Sequence, residues 1–463
     1  MIVRGGGTDR TVIRCALSDL LFADLTVAVV FCYAQRLDEA RLAAGLARAL
    51  RRLPPFAGRL RHGAAGLEIV CEDAGAELTV AEAAETLPEA LGWMTLPDCG
   101  FVDHVDARAA RAGTAPLLRV RISRLAGGGT ALGCSWHHAV GDMSSFMTLM
   151  RTWSALATDT DAASEALPEA DAPEREVLLD REALLDRALP ERDSGRPGFR
   201  VVDAVEAAEL ARAVETATRA NRTVQIYFGE PETARLRARL GAQAGRRLST
   251  NDVLTAHVVC TARRLEGDGA ARFLTVPVDL RRLLGLPAGA LGNLLGEIHL
   301  RCAGGEADAG ADPADAGVTA RTAALAADIR AAVEGLAPGR LSLRTNRELL
   351  KVLGPDRLGD CVALGFDPPR RTFTSSSWRG FGVYDIAFDG VRPVCVCPTN
   401  GLPLPWVCWF VEGFEGAGTL CTLAVPAALA KRLRSSAGRA ALHWCREPGD
   451  ALPEIAIGLR KLL

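Results

Sequence analysis

The chain has 463 residues, too many for one small core, and its charges nearly cancel, with Lys+Arg 54 against Asp+Glu 56 and a net charge of −2. That balance supplies no basic face for displacing counterions from nucleic acid, and 49% apolar with 24% charged residues excludes a wholly disordered chain. A length prior allows about three domains, or two of the larger α/β kind.

Residues Met1 to Asp9 lack the long apolar core of a secretory signal. The best apolar run, Leu20 to Ala34, is interrupted by Asp24 and is shorter than the roughly 20 residues a membrane span needs. A cytoplasmic, membrane-free protein is therefore expected. Its 13 cysteines are odd in number and scattered, with no C-x-x-C pair, and are read as buried thiols in a reducing compartment; Cys395 and Cys397 fall on one face of a strand.

In chain order, Leu25 to Tyr33 is β-branched and apolar, as a buried strand should be. Asp38 to Arg52 follows as a helix with Leu42, Leu46 and Leu50 on one face and Asp38 as N-cap. Leu117–Ile122 and Thr130–Trp136 read as strands joined by a turn at Gly127–Gly129. From about Ala155 to Arg222 the composition turns to Ala, Glu, Asp, Arg and Pro, and a surface connection with short helices is expected. A second mixed region starts at Thr223, with a helix near Asn251–Arg264 and a strand at Phe273–Val278. Late strands are expected near Tyr384–Phe388, Val394–Cys397, Trp406–Val411 and Thr419–Val425, then a helix from Ala427. Ala303–Gly317 reads as a flexible loop. Two α/β halves of similar size suggest a pseudo-duplicated fold, with an N-terminal domain over 1–175, a crossover linker over 176–222 and a C-terminal domain over 223–463.

The chemistry concentrates between Cys134 and Phe146. His137 and His138 end a strand, Asp142 opens a helix, and Phe146, Leu149, Met150 and Trp153 form that helix's apolar stripe. Imidazole titrates nearest neutrality, so a histidine fixed at a strand end is a credible general base. Competing readings are a purely structural His-His pair, Asp142 as a simple cap, and a metal pair, for which the remaining histidines offer no third ligand. Gly133-x-Ser135-x-His137 is a near miss for a nucleophile elbow, which ends in glycine. No metal is expected.

With these residues the sequence resembles the BAHD acyltransferases, within the wider fold group of chloramphenicol acetyltransferase and condensation domains. His137, His138 and Asp142 fill H-H-x-x-x-D-G, with Met143 in place of the last glycine. Pro54 to Leu60 resembles the family's P-x-x-A-G-R-L, Leu248 to His257 its S-T-x-D-x-L-x-A-H, and Asp279-Leu-Arg281 with Gly292-Asn293 its D-x-R and G-N segments. The opening Leu17-Ser-Asp19 and the run Ser376-Ser377-Trp378, with Phe381 and Tyr384, complete the resemblance. The second signature, D-F-G-W-G-K-P, is degraded: of Ala387 to Pro393, the Phe and the Pro match.

The resemblance implies an α/β (α+β) fold of two chloramphenicol-acetyltransferase-like domains with mixed sheets and a solvent channel between them. It implies acyl transfer from acyl-CoA, a co-substrate rather than a bound cofactor, to the hydroxyl or amine of a small molecule. His138 would be the general base, Trp378 and Ser376 the oxyanion donors, Asp142 a structural partner of Arg281, and His137 structural support, with no acyl-enzyme. A monomer is expected. The alternatives are a carrier-protein thioester as donor, a serine hydrolase using Ser135, and a non-catalytic binding protein of the same fold.

Overall fold

Several central strands are continuous, largely apolar runs rich in β-branched residues and buried on both faces, whereas Ala76–Thr86 and Leu118–Ala126 alternate more and less buried residues, because branched side chains pack well on a pleated surface. The computed structural model describes residues 1–7, 10–20, 22–63, 66–93, 99–158, 180–191, 198–269, 272–302, 315–337, 343–354, 357, 360–367, 371–399, 406–450 and 452. The first-half strands are β1 (Ile2–Val3), β2 (Thr11–Arg14), β3 (Thr26–Tyr33), β4 (Arg59–Gly63), β5 (Gly66–Cys71), β6 (Ala76–Thr86), β7 (Leu118–Ala126) and β8 (Thr130–His137). They are followed by β9 (Phe199–Val201), β10 (Asn221–Phe228), β11 (Arg272–Asp279), β12 (Leu295–Cys302), β13 (Cys361–Ala363), β14 (Thr372–Ser377), β15 (Cys395–Pro398), β16 (Val407–Glu412) and β17 (Thr419–Pro426).

Two six-stranded mixed sheets organise the molecule, in the orders β1-β6-β7-β8-β3-β15 and β10-β17-β16-β14-β11-β12. In the first, β6 and β7 run parallel and the other pairs antiparallel; in the second, β14 lies parallel to both β11 and β16. Strands β3 and β8 pair in register from Thr26↔His137 to Tyr33↔Thr130, so the register puts His138 one residue beyond the sheet.

Helices cover each sheet. Helix Glu39–Arg52 is capped by Asp38, whose carboxylate accepts from the Arg41 N–H at 3.0 Å, and buries Leu42, Leu46 and Leu50. It packs so closely on helix Met143–Thr158 that a Cβ on Gly45 would meet Ala157 Cβ at 2.7 Å, and Trp153 donates to the Leu42 carbonyl at 2.9 Å. On the second sheet, helix Thr250–Glu266 begins with a reciprocal capping box between Ser249 and Asp252. No helix among the described residues is long and apolar enough to cross a membrane.

The structure departs from the sequence reading in four places. Tyr384–Phe388 is not a strand: Val383–Asp385 forms a 3-10 turn and Phe388 bridges only Val391. The reason lies in the fold, since Phe388 turns inward against Tyr33 and Trp153, at ring-centroid distances of 6.0 and 5.2 Å. Residues 378–398, read from sequence with the C-terminal half, pack on the first core, and β15 pairs antiparallel with β3 from Cys395↔Cys32 to Pro398↔Val29. The connecting stretch does not simply cross the surface: Arg181, at the start of helix Arg181–Ala188, is buried. Its residues 159–179 and 192–197 lie outside the described residues, as does most of the expected loop, 303–314, whose end caps and opens helix Ala316–Glu334. No disulfide links the cysteines; ten are buried, while Cys99, Cys260 and Cys361 are half-buried.

Phe388 is one of the side chains that fasten the crossing segment to the first core. Phe388→Ala is expected to cost about 3–5 kcal/mol by leaving a cavity between Tyr33 and Trp153. Equilibrium urea unfolding measures this, and a loss well under 1 kcal/mol would show that the segment is held elsewhere.

Candidate active site

A cavity of about 860 Å³ lies between the two sheets, lined by residues of both halves, among them Phe22, Trp136, His138, Asn293, Ser376 and Trp378. His138 enters it because β8 ends at His137 and the chain then turns through His138–Val140. Trp136 secures that turn, donating its indole N–H to the Gly141 carbonyl at 2.9 Å while its ring stacks on Phe146 at 4.0 Å.

The two histidines differ. His137 is fully buried; its Nδ1 accepts from the Ala139 N–H at 3.2 Å, so Nε2 carries the proton and donates to the Ala23 carbonyl at 3.0 Å. Burial drives its pKa down to about 4. His138 stacks on Phe22 at 4.4 Å, and its Nδ1 lies 2.8 Å from Asn293 Oδ1. Desolvation lowers its pKa, outweighing the opposing hydrogen bonds and carboxylates, and favours the neutral ring.

Asn293 decides which nitrogen of that ring is protonated. Its amide Nδ2 donates to Asp19 Oδ1 at 2.7 Å and to the His138 carbonyl at 2.9 Å, both pure acceptors, which orients Oδ1 toward the ring. The neutral His138 therefore carries its proton on Nδ1, and Nε2 is left with a lone pair. Asp19 is held in turn by the Ala16 N–H at 2.9 Å and by Arg181 at 3.2 Å. Arg181 also donates to the carbonyls of Ala139 and Val140, at 2.8 and 2.7 Å, within the histidine turn itself.

Asp142 points to Arg281. The pair is bidentate, with both N···O distances 2.9 Å, and Asp142 also accepts from the Ser145 N–H at 3.0 Å and the Leu294 N–H at 3.1 Å. Arg281 further reaches the carbonyls of Ala290 and Gly292. Gly292 is required where it stands: its φ is +131°, and a Cβ there would sit 3.2 Å from the Arg181 side chain. Met143, in place of the motif's glycine, simply starts the helix that Asp142 caps.

From the second sheet, Ser375 turns inward to Thr255, at 3.0 Å, so its neighbour Ser376 faces the cavity, and Trp378 lines it from the end of β14. His138, Asn293, Ser376 and Trp378 thus share one cavity, while His137 and Arg281 stand behind it. Ser135 is fully buried, its Oγ accepting from the Val105 N–H at 3.1 Å, and does not line the cavity; that removes it as a hydrolase nucleophile. Residues 387–392 do not line the cavity either. Among the described residues no group of three His, Cys, Asp or Glu side chains is placed to hold a metal ion.

Sequence reasoning quoted Asp19 and Asn293 within motif segments without assigning them a place at the site, and Arg181 not at all. A signal for Arg181 was available in its place between two apolar runs, Val177–Leu179 and Ala183–Leu185. Replacing Asp142 removes the bidentate partner of the buried Arg281 and leaves it Asp279 alone at 3.1 Å, so Asp142→Ala is expected to lose about 1–3 kcal/mol of stability. Denaturant unfolding tests this; unchanged stability with lost turnover would assign Asp142 a direct part in the chemistry.

The family model described as "Transferase family" matches residues 7–401. Rosmarinate synthase of Plectranthus scutellarioides is 28% identical over 264 residues, 56% of this chain and 57% of that protein, so the match spans little more than half its length. Putrescine hydroxycinnamoyltransferase 1 of Oryza sativa subsp. japonica is 27% identical over 413 residues, 85% of this chain and 86% of that protein. Among solved structures, F. graminearum TRI101 complexed with ethyl coenzyme A superposes with a TM-score of 0.71 at 16% identity, covering 93% of this chain and 98% of that one. Vinorine synthase superposes with a TM-score of 0.64 at 19% identity, covering 93% and 94%; both likenesses concern the fold. With a family model matched across most of its length, the chain belongs to the transferase family, the BAHD acyltransferases.

Proposed function

We propose that this protein transfers an acyl group from acyl-CoA to a hydroxyl or amine of a small molecule, with His138 as general base and no covalent acyl-enzyme. The observation that carries this reading is the orientation of Asn293, which leaves the Nε2 lone pair of a neutral His138 in a cavity shared by both halves. Relatives named for putrescine and for 5-hydroxyanthranilate acceptors, and a structural neighbour complexed with ethyl coenzyme A, support the substrate classes.

The acceptor O–H or N–H gives its proton to His138 Nε2 as the nucleophile attacks the thioester carbonyl. The new C–O or C–N bond forms, charge gathers on the carbonyl oxygen, and collapse breaks the C–S bond. His138 returns the proton to the departing thiolate, which leaves as the free thiol. A positioned base of this kind contributes roughly 10²–10⁴-fold. The indole N–H of Trp378 and the hydroxyl of Ser376 are the cavity donors for the oxyanion, where one such donor is worth about 10²–10³-fold. Asp142 and Arg281 hold the turn that presents the base, and His137 anchors its start.

His138→Ala is expected to reduce thiol release by at least about 10²-fold with the fold intact. A thiol-release assay over acyl-CoAs and acceptors measures this, and retained turnover rejects the general-base role. The pH profile is a second check. Because the base must be neutral and its pKa is lowered by burial, kcat/KM should hold as pH falls through the ordinary imidazole range and drop only below it. An acidic limb above pH ~6.5 would place the essential base elsewhere.

A further inference from the structure

Strand β12 carries a titratable pair into the cavity that the His138 chemistry does not use. Ile298 and Cys302 pack into the second core, so the alternate residues Glu297 and His299 point the other way, into the cavity. Glu297 Oε2 lies 3.3 Å from His299 Nε2, and His299 Nδ1 lies 3.0 Å from Thr275 Oγ1 on the neighbouring strand. Both side chains retain 27% exposure, which leaves them reachable from the cavity.

Charge pairing singles Glu297 out. Other sheltered carboxylates meet arginine: Asp19 with Arg181, Asp142 with Arg281, Asp252 with Arg330, Asp367 with Arg200. Among the described residues the ion-pair partner of Glu297 is a histidine. Of the charged residues sharing the cavity, Arg347 is engaged by Glu182 and Asp186, Asp279 by Arg281, and Arg301 sits exposed further along the strand. Burial pushes the Glu297 carboxyl up to about 7, so near neutrality it lies at the edge of ionisation, where a cation brought against it would draw off the proton. Apolar residues, among them Phe199, Leu280 and Leu343, line the same cavity and lower its polarity.

We propose that Glu297, backed by His299, binds a protonated nitrogen of the acceptor, so that the acceptor is a diamine or polyamine acylated at its other end. This rests on the acyl-transfer reading above and names its substrate class. Asn293, which holds His138, precedes Glu297 by four residues, at most about 14 Å of extended chain, and His138, Asn293 and Glu297 line the same cavity. The neutral nitrogen at His138 Nε2 loses one proton, forms the C–N bond and displaces the thiol, while the distant ammonium stays charged on Glu297. A monoamine of the same length leaves the Glu297 end unpaired.

The test is calorimetric binding of putrescine, spermidine and butylamine to the full chain, alongside thiol release with the same acceptors. The two polyamines should bind about tenfold or more tightly than butylamine, as expected for a charged hydrogen bond. Glu297→Gln should erase that difference and Glu297→Asp preserve part of it. Equal binding of all three amines by the native chain, or a preference that survives Glu297→Gln, overturns the proposal. Transfer to alcohols or monoamines without polyamine preference rejects this site and leaves the acyltransferase reading standing. Selective polyamine binding without thiol release does the reverse.

Discussion

A single buried ion pair sets the geometry on which the rest of the site depends. Asp142 belongs to the turn after β8 and Arg281 to the segment after β11, so their two 2.9 Å bonds tie the first sheet to the second beside the reacting centre. A guanidinium offers two parallel N–H groups and a carboxylate two oxygens, so the pair fixes direction as well as distance. The remaining lone pairs of Asp142 are filled by backbone and Ser145 donors, which is the condition under which a buried pair holds its place. Because both halves contribute, the turn carrying His138 has one position rather than several.

Orientation and protonation of His138 are governed by one side chain. Asn293 can present only its carbonyl to the ring, since Asp19 and the His138 carbonyl occupy its amide. Arg181 neutralises Asp19 and grips the carbonyls of the histidine turn, linking the crossover stretch to the same network. The enclosure that makes these hydrogen bonds strong also lowers the basicity of the ring, so the site trades proton affinity for readiness at neutral pH.

Much of the fold was legible because period and caps were strong. Asp38 before Leu42, Leu46 and Leu50 announces a helix from local chemistry alone, and that helix and the one expected near Asn251 both begin within one residue of the expected place. The late segment was harder. Phe388 and Tyr384 look like strand residues, yet they serve a core built from residues more than 200 positions earlier, and no local pattern encodes that distance. The same limit applied at the site: His138 and Asp142 stood out only with the surrounding motif segments, whereas the direction of the Asn293 amide depends on Asp19 and could only be read in three dimensions. Glu297 and His299 gave no motif, because their meaning comes from facing a cavity.

Strand β15 has a consequence for how the molecule comes apart. By pairing with β3 it adds a strand of the C-terminal half to the edge of the N-terminal half's sheet, and Pro398 closes that pairing directly beside the cavity. The first half therefore does not complete its own sheet or core alone, whereas the second sheet and core are built wholly from the C-terminal half. Unfolding of the C-terminal half then strips the first sheet of its edge strand β15, so the first half loses structure along with the second.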